Sequence, residues 1–180
     1  MSYCDYITNL ESDNPHRIYH DTQYGFPISS DNELFGRLLL EINQAGLSWN
    51  TILNKQNNFR KAYSDFSITK VANYKVKDKS RLLNDAGIIR NRLKVDAAIY
   101  NAQQILQLQK EYDSFSNWLD YSHPLNREEW VKLFKKTFKF TGGEITNEFL
   151  LSSGYLKGAH TEKCSIYNKI LKMNPKWNAK

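Results

Sequence analysis

The segment Ser30-Asp-Asn-Glu33-Leu34-Phe35-Gly-Arg-Leu38-Leu39-Leu40-Glu41-Ile42-Asn-Gln44-Ala45-Gly46-Leu47-Ser48-Trp49 reads as one long helix followed at once by the start of another. Ser30 with Glu33 has the spacing of a capping box, and Leu34, Phe35, Leu38, Leu39 and Ile42 recur at helical intervals. The pattern predicts a helix running to Ala45 or Gly46, where the glycine permits a sharp reversal. Ser48 then has the character of an N-cap for a second helix carrying Trp49, Ile52 and Leu53. Outward from this pair the same periodicity continues. Further helical stretches are predicted over 58–64, 68–73, 78–85, 91–110, 114–121, 127–136, 143–153 and 161–173. Pro15, Pro27, Pro124 and Pro175 fall between periodic segments. No period-two strand of useful length is present, so the predicted fold class is all-α.

The 180 residues are 41% hydrophobic and 24% charged, which suits a globular protein and excludes a disordered, collagen-like or coiled-coil chain. We expect a single domain over 1–180, with a central helical lobe and a second lobe built from both chain ends. The segment before Ser30 has little periodicity of its own and needs a surface to dock on. No apolar run approaches the roughly 20 residues of a spanning helix, and Met1-Ser-Tyr-Cys-Asp-Tyr6 lacks a basic start followed by an apolar stretch. The chain is therefore expected to be neither secreted nor membrane-spanning. The net charge of +6 suits a partner carrying phosphates without demanding one.

Three constellations carry chemistry. Glu41 falls on one stripe with Leu34, Leu38 and Ala45, and a carboxylate on a buried face needs a partner. It either accepts bonds from neighbouring amides or faces a pocket suited to a cationic or amine-bearing ligand. Gly46, Leu47 and Trp49 beside the helix end could supply a pocket wall and a protruding wedge. In Asp85-Ala-Gly87-Ile-Ile-Arg90-Asn-Arg92-Leu-Lys94 a helix ends near Gly87, and three cations lead into the next. Arg90, Arg92, Lys94 and the amides of that helix start would form a phosphate-binding surface. Finally, His160-Thr-Glu-Lys-Cys164 sets two soft ligands one helical turn apart. If the chain ends meet, Cys4 and either His16 or His20 complete a Cys2His2 set of structural type.

Together Tyr19-His-Asp21 with Gly25 and Pro27, Leu40-Glu41 with Gln44-Ala-Gly-Leu-Ser-Trp49, Gly87-Ile-Ile-Arg90 with Arg92 and Lys94, Phe138-Lys-Phe140, and His160 to Cys164 resemble the bacterial DNA-3-methyladenine glycosylase I family. The likeness spans nearly the whole chain in order. It implies an all-helical fold of the helix-hairpin-helix glycosylase superfamily, with one structural Zn2+ joining the chain ends through Cys4, His20, His160 and Cys164. It places the base pocket at Tyr19, Glu41 and Trp49, with Glu41 recognising the base and aiding its release. It places the wedge at Gly46 and Leu47, and the backbone grip at Gly87, Arg90, Arg92 and Lys94. The implied reaction is hydrolysis of the N-glycosidic bond of N3-methyladenine in alkylated double-stranded DNA, leaving an abasic site. The implied protein is a monofunctional, monomeric enzyme of the bacterial cytoplasm and nucleoid, with no membrane or protein partner.

Two departures qualify the resemblance. The chain has Gln23-Tyr24-Gly25 where the family commonly has Glu-Trp-Gly. After Phe140 it reads Thr141-Gly-Gly-Glu144-Ile-Thr-Asn147-Glu148-Phe149 in place of Gly-Pro-Thr and a later Tyr. These changes raise the expectation that Glu144 or Asn147 lines the pocket and, with Glu148, motivate one alternative, the same fold acting on another lesion; the other alternative is a helix-hairpin-helix DNA-binding protein that keeps the zinc clasp and hairpin without excision activity.

Overall fold

The computed structural model describes residues 2–179. Among them the regular elements are α-helices with two short 3-10 turns and no strand, as the periodicity predicted. The helices are α1 Tyr3–Ile7, α2 Pro15–Thr22, α3 Asp31–Gln44, α4 Trp49–Ala62, α5 Ile68–Ala72, α6 Val76–Asn84, α7 Arg92–Tyr112, α8 Phe115–Ser122, α9 Arg127–Thr137, α10 Gly143–Ser152 and α11 Ser165–Lys172.

Helix α3 is the axis of the molecule. Every residue from Leu34 to Asn43 is buried, because α4, α7, α8 and α10 all pack on it. A helix enclosed on all sides differs from the one-sided stripe that surface amphipathicity describes. Its start keeps half of the predicted capping box. Ser30 Oγ accepts from the Glu33 amide at 3.4 Å, while the Glu33 carboxylate turns away to take two bonds from Arg60 at 2.9 and 2.7 Å.

The other departures from the predicted elements have local causes. The stretches predicted around 49–53 and 58–64 are one continuous helix, α4. The polar residues between them meet loops: Lys55 donates to the Ala86 carbonyl at 3.0 Å, and Gln56 to Gln23 at 2.9 Å. The aperiodic N-terminal segment holds two helices, α1 and α2, with Ser2 and Asn14 as N-caps. Asn14-Pro15 is itself a start signal, since proline fits the first helical position. Helix α11 begins only at Ser165, with Cys164 as its N-cap. His160 and Cys164 therefore lie on a turn and not on successive turns of one helix.

The chain ends meet beside α3. The Gly25 amide donates to the Ser152 carbonyl at 2.9 Å, and the α8–α10 side of the core is filled by aromatics. Phe134 packs edgewise and tilted among Phe138, Phe149 and Trp118 with ring centroids 5.4 to 5.9 Å apart. Asp31 ties α3 to α8, accepting from the Phe115 and Ser116 amides at 2.8 and 3.0 Å and from Gln109 at 2.7 Å. The two backbone amides are otherwise orphaned donors at the start of α8. Replacing Asp31 by Ala is expected to lower stability by about 2–3 kcal/mol, the scale of charge-assisted bonds to a carboxylate, as read from urea unfolding.

Candidate base pocket and metal cluster

A cavity of about 290 Å³ opens between α2, the start of α4, and the facing sides of α3 and α10. Its aromatic wall is Tyr19, Tyr24 and Trp49, with Tyr19 5.2 Å from Trp49 and 5.6 Å from Tyr24 between ring centroids. Tyr3 and His16 close one side, and the Tyr3 hydroxyl lies 3.0 Å from His16 Nδ1. Glu41, Gln44 and Glu148 supply the polar lining.

Glu41 is 3% exposed and projects from the buried α3 toward this cavity. Burial pushes its carboxyl up to about 8 from an ordinary 4.5; the Arg37 guanidinium pulls the other way and the Glu148 carboxylate adds to the rise. Arg37 is buried as well, donating to the Tyr19 hydroxyl at 3.3 Å and to the Ser152 carbonyl at 3.0 Å, with its guanidinium 5.2 Å over the Tyr19 ring. The pocket is thus an apolar aromatic slot with an acidic floor, suited to a flat cation.

A second hollow of about 420 Å³ continues from the first, between Gly46 and Leu47 on one side and the start of α10 on the other. Gly46 has φ +80° with open space where a Cβ would sit, so the backbone conformation requires the glycine. Leu47, at the tip of the reversal, is 41% exposed despite being apolar.

The turn between α6 and α7 brings out Arg90 and Arg92, both exposed. Lys94 corrects the expectation of a phosphate contact. It is 4% exposed, and its ammonium donates to the Asn43 and Ala45 carbonyls at 2.8 and 2.7 Å. There it caps the C-terminus of α3, where a cation meets the negative end of the helix dipole. Gly87 likewise shapes the turn: its amide goes to Asp85 at 2.7 Å and its carbonyl accepts from Lys55 and Asn58.

Cys4, His20, His160 and Cys164 come together at the meeting of the chain ends, with one ligand atom from each within 4.8 Å of all the others. His20 Nε2 is 3.4 Å from Cys4 Sγ and 3.8 Å from Cys164 Sγ. His160 Nδ1 is 3.7 and 3.6 Å from the same two sulfurs. Each imidazole has its other nitrogen anchored, His20 to Asp21 at 2.7 Å and His160 to the Tyr24 carbonyl at 2.7 Å, the outer-shell pattern of metal-binding histidines. These four residues are close enough to hold a metal ion, and His16 belongs to the pocket instead.

Of the two candidates after Phe140, neither lines the base pocket. Glu144 is exposed and pairs with Arg127, and Asn147 reaches only the Glu148 carboxylate. Glu148 is the residue that enters, held by the Tyr24 hydroxyl at 3.2 Å. Its spacing of three from Ile145 and four to Ser152 places it on one face of α10, a signal the sequence offers. Tyr3 and His16 give no such signal, because only the docking of α1 on α2 aims them inward, and Tyr24 follows α2 on a turn.

An all-helical chain with an aromatic, carboxylate-floored slot beside an exposed apolar tip has the architecture of a base-binding DNA repair protein. Residues 9–132 match the Methyladenine glycosylase family. The chain is 32% identical over 186 residues to DNA-3-methyladenine glycosylase 1 of Escherichia coli, covering 93% of this chain and 97% of that one. It also resembles the structure of 3-methyladenine DNA glycosylase I from Staphylococcus aureus, with a TM-score of 0.80 and 30% identity over 91% of this chain and 95% of the other. A structure of a variant 3-methyladenine DNA glycosylase I in complex with 3-methyladenine gives the same TM-score at 30% identity, covering 92% and 97%. This chain belongs to the methyladenine glycosylase family.

The raised Glu41 carboxyl has a stability consequence. The folded state holds its proton between an ordinary 4.5 and about 8 while the unfolded chain has released it. The contribution is therefore full below 4.5 and is lost progressively as pH rises to 8. Glu41→Gln is expected to flatten that decline, which paired unfolding curves of the two proteins across this window would register.

Proposed function

We infer that this protein is a DNA repair glycosylase that hydrolyses the N-glycosidic bond of N3-methyladenine in alkylated DNA and leaves an abasic site. The observation that carries the reading is Glu41, a carboxylate buried at the end of an aromatic slot, in a chain of this family. Alkylation makes adenine cationic and weakens its bond to the sugar, so the main tasks are extruding the base and holding it. Tyr19 and Trp49 stack on the cation, and Glu41 accepts from its exocyclic amine while complementing its charge. Leu47, carried on the Gly46 turn, fills the space the base vacates in the duplex. Arg90 and Arg92, on the hairpin between α6 and α7, contact the phosphate backbone. Water is the final acceptor of the sugar. Among the described residues no lysine lines the pocket for a Schiff base, which favours a monofunctional enzyme.

We take the metal of the Cys4, His20, His160 and Cys164 cluster to be zinc. Ordinary zinc–sulfur and zinc–nitrogen bonds in a tetrahedron imply sulfur–nitrogen separations of about 3.6 Å, against 3.4 to 3.8 Å here. A closed set of this kind is structural, fastening α1 and α2 to the segment before α11.

Chromatography of bases freed from methylated duplex DNA tests the activity. Release of N3-methyladenine is expected, and Glu41→Ala should slow it by at least about 100-fold, the cost of losing a preorganised charged partner, with little change in nonspecific DNA affinity. Release of other bases only would redirect the specificity, and tight DNA binding without release would leave a noncatalytic binder. Metal analysis of the purified protein should give about one zinc per chain, with chelation lowering the melting temperature; a metal-free protein of unchanged stability would refute the clasp.

A further inference from the structure

Two carboxylates, not one, stand where the base slot meets the wedge hollow. The residues that line both cavities are Glu41, Gln44 and Glu148. If the base occupies the first cavity and the DNA strand runs past Leu47 in the second, the bond joining base to sugar lies at this junction. Glu41 reaches it from α3, and Glu148 from α10 on the opposite side.

The surroundings of Glu148 differ from those of a surface acid. Its Oε2 accepts from the Tyr24 hydroxyl at 3.2 Å, which fixes the carboxylate toward the slot. Its Oε1 has only a long contact of 3.5 Å with Asn147 Nδ2, leaving acceptor capacity free. Glu148 has no ion-pair partner among the described residues. Arg127, which could reach this region, is engaged by Glu144. A cationic base lodged between Glu41 and Glu148 would supply the missing positive charge and keep both carboxylates ionised.

We propose that Glu148 is a second catalytic carboxylate, which binds the hydrolytic water and faces the sugar cation as the base departs. This rests on the glycosylase reading above. In the step, the bond from the anomeric carbon to the glycosidic nitrogen breaks, and its electron pair leaves with the base, which becomes neutral. The water oxygen bonds to the anomeric carbon, and the water's proton passes to Glu148 Oε1. Bulk solvent later takes that proton, so no other reactant is needed. Glu41 and Glu148 thereby divide the work, the first recognising the base and the second serving the sugar side. Paired carboxylates flanking a scissile glycosidic bond, one of them addressing water, are an established solution to this kind of hydrolysis.

The test is single-turnover release of N3-methyladenine from methylated duplex DNA, together with binding of free N3-methyladenine followed by quenching of tryptophan fluorescence. Glu148→Gln is expected to slow release by about 100-fold, the scale of general-base assistance, while affinity for the free base, which is neutral once released, falls by far less. Glu148→Asp, which keeps the carboxylate, should recover part of the rate and stands in if the Gln variant does not fold. A Gln variant as fast as the native protein would overturn the role of Glu148 and leave the glycosylase reading intact. Equal losses of release and of free-base affinity would make Glu148 a recognition residue and also overturn it. Absence of release by the native protein would overturn the glycosylase reading, and this proposal with it.

Discussion

The enclosure of α3 governs the rest of the molecule. On a helix buried on all sides an unpartnered polar side chain is costly, and of its three buried polar residues Asn43 turns its Nδ2 back to the Leu39 carbonyl at 2.8 Å while its Oδ1 stays unpartnered. Arg37, Glu41 and Asn43 are all within that enclosure. Arg37 avoids that cost by bonding Tyr19 of α2 and the Ser152 carbonyl of α10, which joins segments far apart in sequence. Lys94 closes the other end, neutralising the last carbonyls of α3 at the Gly46 turn. Glu41 faces the aromatic cavity with no cation bonded to its carboxylate. The core thus holds an acid in place for a ligand to satisfy.

On the proposed glycosylase reading, that arrangement favours a cation in the pocket. Desolvation holds the Glu41 carboxyl well above its ordinary range, and burial also raises that of Glu148. A neutral base would gain stacking on Tyr19 and Trp49, but only a positively charged one adds the electrostatic term that a carboxylate in a low-dielectric site provides. Discrimination between a damaged and a normal purine then comes from charge as well as from fit.

The chain ends are the other half of the pocket. Tyr3, His16 and Tyr19 belong to short helices with little core of their own, and Tyr24 to the turn after them; α1 and α2 bury only a few side chains each. Their aim into the cavity depends on the meeting of the two termini. The Cys4, His20, His160 and Cys164 cluster stands at that meeting, and the Tyr24 carbonyl orients His160 directly. Clasp and pocket wall are therefore one mechanical unit, with Tyr24 linking His160 on one side to Glu148 on the other.

The all-helical class, the helix from Asp31 to Gln44 and the start of its successor at Trp49 were legible in the sequence, because apolar spacing and N-cap chemistry are local properties. So were Glu41, as an acid on a buried stripe, and the Gly46 reversal. The Cys and His inventory limited the metal cluster to a few combinations, and the family resemblance chose His20 over His16 before geometry did. Other features are tertiary. The sequence marks Lys94 as one cation among three, yet packing buries it under the end of α3. Glu148 looks like one of two extra acids after Phe140, yet the face that α10 turns toward α3 selects it over Glu144 and Asn147. The physical reason is the same in each case: periodicity specifies which residues share a face, while only the docking of helices decides what that face meets.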